Sequence, residues 1–296
     1  MRPTARTTRT ARVEAQAKIN LFLRILSREP SGYHQLETLF QRVALADSVV
    51  VRTGGNGRSL DCRGADTGPA EKNLAWRAAV AFAEAAGGPA NFQIEIDKRI
   101  PVGGGLGGGS ADAAAVLRAL NALAERPLDE ATLAGIAFSL GADVPYLLST
   151  HALALGSGRG EKLFPLAPLA ARPVLLAVPP FGVSSGDAFG WYADQKSSRV
   201  SGTRATLPVG RKLEWKMIAA LAANDLESVV AEHHPEIAAL RDGLRREGAI
   251  MAQMSGSGSG VFGVFERGIR VKAGLGTGAR TIETATVEVV APAEMD

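Results

Sequence analysis

The chain has 296 residues, 46% of them hydrophobic and 21% charged, a globular composition whose length accommodates one large domain or two. A formal net charge of +3 favours anionic small molecules, but no Lys/Arg stripe interleaved with aromatics marks a nucleic-acid groove, so no nucleic-acid partner is expected. The single Cys62 rules out an intrachain disulfide, the four histidines lack metal-ligand spacing, and no apolar run of about 18 residues offers a membrane span; the expectation is a cytoplasmic protein with no membrane partner and metal ligands unknown.

Residues 1–12, "MRPTARTTRTAR", carry Arg and Thr without an acid or an apolar face and read as a disordered start. "ARVEAQAKINLFLRIL" alternates polar and apolar residues as one or two strands do, and "DSVVVRT" at 47–53 reads the same way. "EKNLAWRAAVAFAEAAGG" has helical spacing with a Gly stop near 87. In "NFQIEIDKRIP", Phe92, Ile94 and Ile96 recur at period two, so a half-buried strand delivers the chain to "PVGGGLGGGSADAAAVLRAL" at 101–120. There Ser110 is placed as an N-cap, Asp112 suits the first turn, and Pro127 lies just past the helix end. "DEATLAGIAFSLG" is a further helix and "HALALGSGRGEKL" a hairpin about its Gly-rich middle. From about 166 the pattern restarts with the strand "PVLLAVPP", helices through the 180s and from the 210s to the 240s, and strands in "AIMAQMSGSGSGVFGVF" and "TIETATVEVV". This divides the chain into domains over 13–165 and 166–296, with the polar stretch 194–211 as a connection. Strands grouped before helices point to an α+β fold rather than a doubly wound sheet.

The glycine run before a helix is the most informative local feature. Glycine permits φ > 0 and close approach of main-chain N–H groups, and a helix start adds orphan donors and the positive end of its dipole, which together make an anion site. Gly103, Gly105 and Gly108 satisfy G-x-G-x-x-G, but a stretch this rich in glycine almost forces the match. A dinucleotide unit also wants a fully buried preceding strand and an acid ending the next strand, whereas this strand is amphipathic and Asp129 and Glu130 start a helix. A Walker A loop fails because no Lys-Ser/Thr pair follows the last Gly.

Three segments in order, "AKINL", "PVGGGLGGGSADAA" and "MSGSGSGVFGVF", resemble the GHMP small-molecule kinase superfamily. With "PSGYHQLETLFQRV", "EKNLAWRAA", "GADVPYLL", "GSGRGE" and "NDLE", the resemblance narrows to its branch that phosphorylates a cytidine-diphosphate sugar alcohol in isoprenoid precursor synthesis, using ATP and Mg²⁺. It implies a two-domain α+β fold, a ribosomal-protein-S5-domain-2-like domain followed by a ferredoxin-like domain. It implies Asp143 as the base taking the hydroxyl proton and Lys18 as its partner; on the tripeptide alone, Asp143 could equally be a helix cap. Lys18 and Asn20 share one strand face, which points to a cleft. ATP would be held by Asn73 and Lys98 at the adenosine end and by Pro101, Gly103, Gly104, Gly105, Leu106, Gly107, Gly108, Gly109 and Ser110 at the phosphates. Lys98 also reads as a solvated strand end. The substrate side would comprise Asn20, Tyr33, His34, Asp143, Ser185, Phe189, Ser257 and Gly258, with aromatic faces on the pyrimidine. By themselves, Tyr33 and His34 read as a surface turn, Phe189 as core, and Ser257 with Gly258 as a hairpin. The alternatives are a homoserine- or mevalonate-type kinase of the same superfamily and a catalytically silent metabolite sensor; a monomer or homodimer is expected.

Overall fold

In the computed structural model, residues 8–87, 91–195, 212–266 and 278–296 are described. Strand β1 (Arg9–Arg28) puts Ala11, Val13, Ala15, Ala17, Ile19 and Leu21 into the core at period two. It runs antiparallel to β2 (His34–Thr53), with register shifts between Gln16 and Lys18 and between Asn20 and Phe22. One half of β2 pairs with β4 (Phe92–Asp97), which is parallel to β3 (Arg58–Arg63); the other half pairs with β5 (Leu153–Gly158), which carries β6 (Lys162–Pro165).

Helices α1 (Leu74–Ala85), α2 (Gly108–Leu123), α3 (Glu130–Leu140) and α4 (Val144–Leu148) accompany this sheet. Ten residues of α2 are buried, six of them apolar and small or branched in one continuous run from Ala113 to Leu117 with Ala111 before it, so its backbone lies close to β1 and α1. A helix apolar nearly all round is a core helix. Asp129 caps α3 through the Thr132 N–H, as its place after Pro127 implies.

The second sheet, antiparallel in the order β10-β7-β9-β8, comprises β7 (Pro173–Val178), β8 (Met251–Met254), β9 (Val261–Val264) and β10 (Arg280–Ala285). Helices α5 (Ser185–Gln195), α7 (Glu227–His233) and α8 (Glu236–Arg246) belong to this half, while α6 (Trp215–Leu221) buries Trp215, Ile218 and Leu221 in the core shared with the first sheet. Its core of Leu175, Val230, Leu240, Met254 and Phe265 extends to Leu23 and Ile25 of β1. The halves are also tied by hydrogen bonds: Gln253 Nε2 donates to the Asn20 carbonyl at 2.7 Å, and the Ile25 N–H donates to Asp225 at 2.8 Å.

The architecture is α+β, but three local expectations are corrected. The start is ordered from Arg9, because Ala11 and Arg12 are clamped between β2 and a last strand, β11 (Glu294–Met295). That strand returns the chain end to the first sheet, so the segment after 166 does not lie wholly with the second. The N-cap of α2 is Gly107 rather than Ser110, which occupies the helix's first turn. The polar connection falls mostly outside the described residues, apart from Asp194 and Gln195 at the end of α5.

Candidate active site

The glycine run answers two needs at once. At Gly107 the backbone turns left-handed, φ +73, and the first helical bond of α2 runs from the Ala111 N–H to the Gly107 carbonyl. The N–H groups of Gly108, Gly109 and Ser110 are therefore left without helical partners, as an anion site requires. The rest of the bareness has another cause: a second glycine loop, Ser255–Gly260, packs on the first backbone to backbone. Ser259 and Gly260 N–H groups donate to the Gly103 and Gly104 carbonyls at 3.2 Å, and Ser255 Oγ donates to the Gly105 carbonyl at 3.0 Å. A Cβ on Gly105, where φ is +67, would collide with the Ser255 carbonyl oxygen, and one on Gly260 would sit 2.5 Å from the Gly104 oxygen.

Lys18 lies beneath this junction. Its backbone N–H donates to the Leu106 carbonyl at 3.0 Å, and its side chain is 3% exposed. The ammonium donates to Asn20 Oδ1 at 2.7 Å and pairs with Asp143 Oδ2 at 3.2 Å. Asn20 is held in turn: its Nδ2 donates to Thr38 Oγ1, whose hydroxyl donates to the Phe22 carbonyl, both at 2.7 Å. Register shifts on both sides of this pair of residues set Lys18 and Asn20 on the cleft face, a use of strand irregularity common beside active sites. Asp143 precedes α4 but makes no side-chain cap bond, so its carboxylate faces Lys18.

Lys98 is 3% exposed, not a solvated strand end. Its ammonium bonds Asp47 and, at 2.8 Å, Asp112 of α2, while Asp47 also accepts from the Ile100 N–H at 2.8 Å. The three residues tie β2, the segment entering the glycine loop and α2 together. Asp112 Oδ1 has no hydrogen-bond partner, and burial pushes this carboxyl up to about 7 against the pull of Lys98, with the Asp47 charge acting in the same direction as burial.

The glycine loop separates two cavities. The larger, about 1180 Å³, is lined by Lys18, Asn20, Asp143 and Ser110, and by Tyr33, His34, Ser185, Phe189, Ser257 and Gly258. The smaller, about 210 Å³, is lined by Asn73, Lys98, Pro101, Asp112 and the run Gly103–Gly109 including Leu106. Asn73 there caps α1 through the Ala75 N–H. In the larger cavity His34 and Phe189 stack, 5.0 Å between centroids and 17° apart, while Tyr33, 59% exposed, is covered on one face by the Arg159 guanidinium at 3.9 Å. Arg159 is anchored to Glu29 at 2.6 Å, an interaction that holds the Glu29 carboxyl down at about 2. Ser185 and Ser257 hydroxyls meet at 3.0 Å. Sequence reasoning missed Thr38, Asp47, Ser255 and Arg159, each of which acts by contact with a residue remote in the chain; Asp112, expected in the first turn of α2, lies beyond it, because the helix starts at Gly108.

The GHMP kinases N terminal domain matches residues 73–151, and the GHMP kinases C terminal model matches residues 212–276. A 4-diphosphocytidyl-2-C-methyl-D-erythritol kinase of Solibacter usitatus is 41% identical over 266 residues, 88% of this chain and 82% of the relative. A solved 4-(cytidine 5'-diphospho)-2C-methyl-D-erythritol kinase superposes with a TM-score of 0.74 at 36% identity, covering 93% of this chain and 98% of that one. A homoserine kinase from Cytophaga hutchinsonii, with a TM-score of 0.66 at 15% identity over 100% of this chain and 99% of its own, shares the fold. Among the described residues no helix is long and apolar enough to cross a membrane.

Two outcomes test this geometry. Gly105→Ala combines a left-handed backbone with a collision and should lower stability by at least ~1–2 kcal/mol, whereas at Gly109 a Cβ meets only Leu74 Cδ1 at 3.7 Å and alanine should be tolerated; equal melting temperatures for the two variants would contradict the loop packing. The raised Asp112 carboxyl implies a stability contribution fully present below its ordinary value of 3.8 and lost as pH rises to about 7. The melting temperature of Asp112→Asn relative to the parent should therefore rise between pH ~5 and ~7 and level off above; a pH-independent difference would contradict the buried proton.

Proposed function

The chain belongs to the 4-diphosphocytidyl-2-C-methyl-D-erythritol kinases, ATP-dependent small-molecule kinases of the GHMP superfamily, and on that premise we propose that it phosphorylates the 2-hydroxyl of 4-diphosphocytidyl-2-C-methyl-D-erythritol in the non-mevalonate route to isoprenoid precursors. The observation that carries the mechanism is the Lys18–Asp143 pair at 3.2 Å, on the wall of the larger cavity beside the glycine loop.

Phosphoryl transfer asks the protein for alignment, charge neutralisation and a base. Asp143 accepts the acceptor hydroxyl's proton. Lys18, oriented by Asn20 and Thr38, keeps the carboxylate in place and stabilises negative charge as it grows on the attacking oxygen. The N–H groups of Gly108 and Gly109, on the smaller cavity, and of Ser110, on the larger, receive ATP phosphates, with Asn73 toward the adenosine end. Lys98 contributes through the loop's foundation, since both carboxylates it touches are buried with it. When bound, Mg²⁺ would neutralise phosphate charge as the transfer proceeds. The Ser110 hydroxyl, a hard oxygen donor on the cleft wall, fits such an ion.

At the other end, Tyr33 backed by Arg159 and Phe189 backed by His34 form two aromatic platforms, each with one face already supported. Cytosine stacks against them, and the imidazole and nearby polar groups read its edge. Homoserine or mevalonate would have no use for these platforms.

Asp143→Asn keeps shape without the base and should lower turnover ~10²–10⁴-fold with substrate and ATP affinities nearly intact. Lys18→Met should also cut turnover, and the double variant should fall well short of the product of the two losses. Wild-type turnover by Asp143→Asn in an ATPase-coupled assay would refute the mechanism. For recognition, Tyr33→Ala should weaken the cytidine substrate by ~1–3 kcal/mol while sparing ATP, and a uridine analogue should be a poor substrate. Equal losses for both ligands would point to a folding defect, and indifference to the base would remove His34 and its neighbours from recognition.

A further inference from the structure

Arg42 is a fully buried cation whose guanidinium bonds go to main-chain oxygens. Its Nη2 donates to the carbonyls of Tyr146, Leu147 and Ser149 at 3.0, 2.8 and 2.8 Å, and its Nε donates to the His151 carbonyl at 3.3 Å. These are the closing carbonyls of α4 and its exit. A five-residue helix has no stability of its own, and its last carbonyls lack helical partners. The Tyr146 carbonyl also accepts from the Ser149 N–H and Oγ, whereas the buried Leu147 carbonyl, without the Arg42 donor, would carry the cost of desolvation. The Tyr146 ring, stacked on Phe40 at 4.6 Å, lies under the same guanidinium, and the Tyr146 hydroxyl donates to the Ala152 carbonyl at 2.8 Å. Burial pulls Arg42 down to about 10, which leaves it cationic at neutral pH.

Arg42 is also the cross-strand partner of Lys18 in the β1–β2 ladder. One pair of facing strand positions thus grips both ends of α4: Lys18 the Asp143 carboxylate at its front, Arg42 the carbonyls at its back. The Asp143 side chain makes no cap bond, so apart from its pairing with Lys18 its location follows that of α4.

We infer that Arg42 is a positioning residue for phosphoryl transfer, setting the Asp143 carboxylate by seating the C-terminal end of α4. The inference rests on the reading of Asp143 as the base. Displacements of about 1 Å at a reacting group cost up to ~10²-fold in rate, so Arg42→Met should lower kcat ~10–100-fold with KM for ATP and for the cytidine substrate little changed. Because a partly unfolded preparation would also lose kcat, turnover is normalised to the fraction that binds a non-hydrolysable ATP analogue by calorimetry. The deciding measurement is a cycle with Asp143→Asn: if Arg42 acts through Asp143, Arg42→Met causes no further loss in that background. Arg42→Lys keeps the charge without the fork and should recover part of the rate; it carries the same test if Arg42→Met does not fold. A normalised kcat at the parental level, or an equal loss with and without the Asp143 carboxylate, would overturn the inference. Parental turnover by Asp143→Asn alone would instead remove its premise.

Discussion

Burying an ammonium without a partner is prohibitive, and the placement of Lys18 at 3% exposure therefore constrains everything around it. Its charge has to be met by a carboxylate, and its remaining donors by neutral oxygens. Asn20 from the same strand and Asp143 from the start of α4 meet these demands, and Thr38 and the Phe22 carbonyl close the chain of hydrogen bonds behind Asn20. A pair that solves a desolvation problem is, in the mechanism proposed above, at the same time a base and a cation on the wall of one cavity, so stability and chemistry draw on the same contact.

Three buried cations fasten three parts of the site to the first sheet. Lys18 takes the front of α4, Arg42 its back, and Lys98 fixes α2 and the loop leading to it through Asp112 and Asp47. Apolar residues of similar size could fill the same volume, often without loss of stability. They would leave the short helix and the glycine loop free to shift, and the separations on which proton transfer depends are fractions of an ångström.

The two glycine loops show why backbone is the material of choice at the centre of the site. Main chain packs on main chain between Gly103–Gly105 and Ser255–Gly260, with Lys18 below, which leaves no room for side chains at several positions. The two loops lie between the larger and the smaller cavity, and in the proposed function their N–H groups meet ATP phosphate.

The periodic segments were legible because period and burial obey the same geometry: Phe92, Ile94 and Ile96 declare β4, and the capping Asp129 declares α3. So did the ordered glycine motifs, whose spacing reflects close backbone approach, and the resemblance they carry led to Lys18, Asp143 and the residues of the two cavities. The N-cap was misread because Ser110 satisfies the side-chain rule while the turn requires the left-handed conformation that Gly107 supplies. Ala11 and Arg12 looked disordered because their partners, Met295 and Glu294, lie at the other end of the chain. Lys98 looked solvated for the same reason: a strand-end lysine differs from a buried one only through Asp47 and Asp112, which folding brings to it. Arg42 gave no signal at all, since main-chain carbonyls leave no mark in a sequence. The sequence by itself determined the elements and the glycine loops, because these rest on local spacing and side-chain chemistry, and through the resemblance carried by its ordered motifs it pointed to Lys18 and Asp143; only the tertiary structure decided which charges are buried, what neutralises them and which backbone they hold in place, because burial and pairing are made between residues remote in the chain.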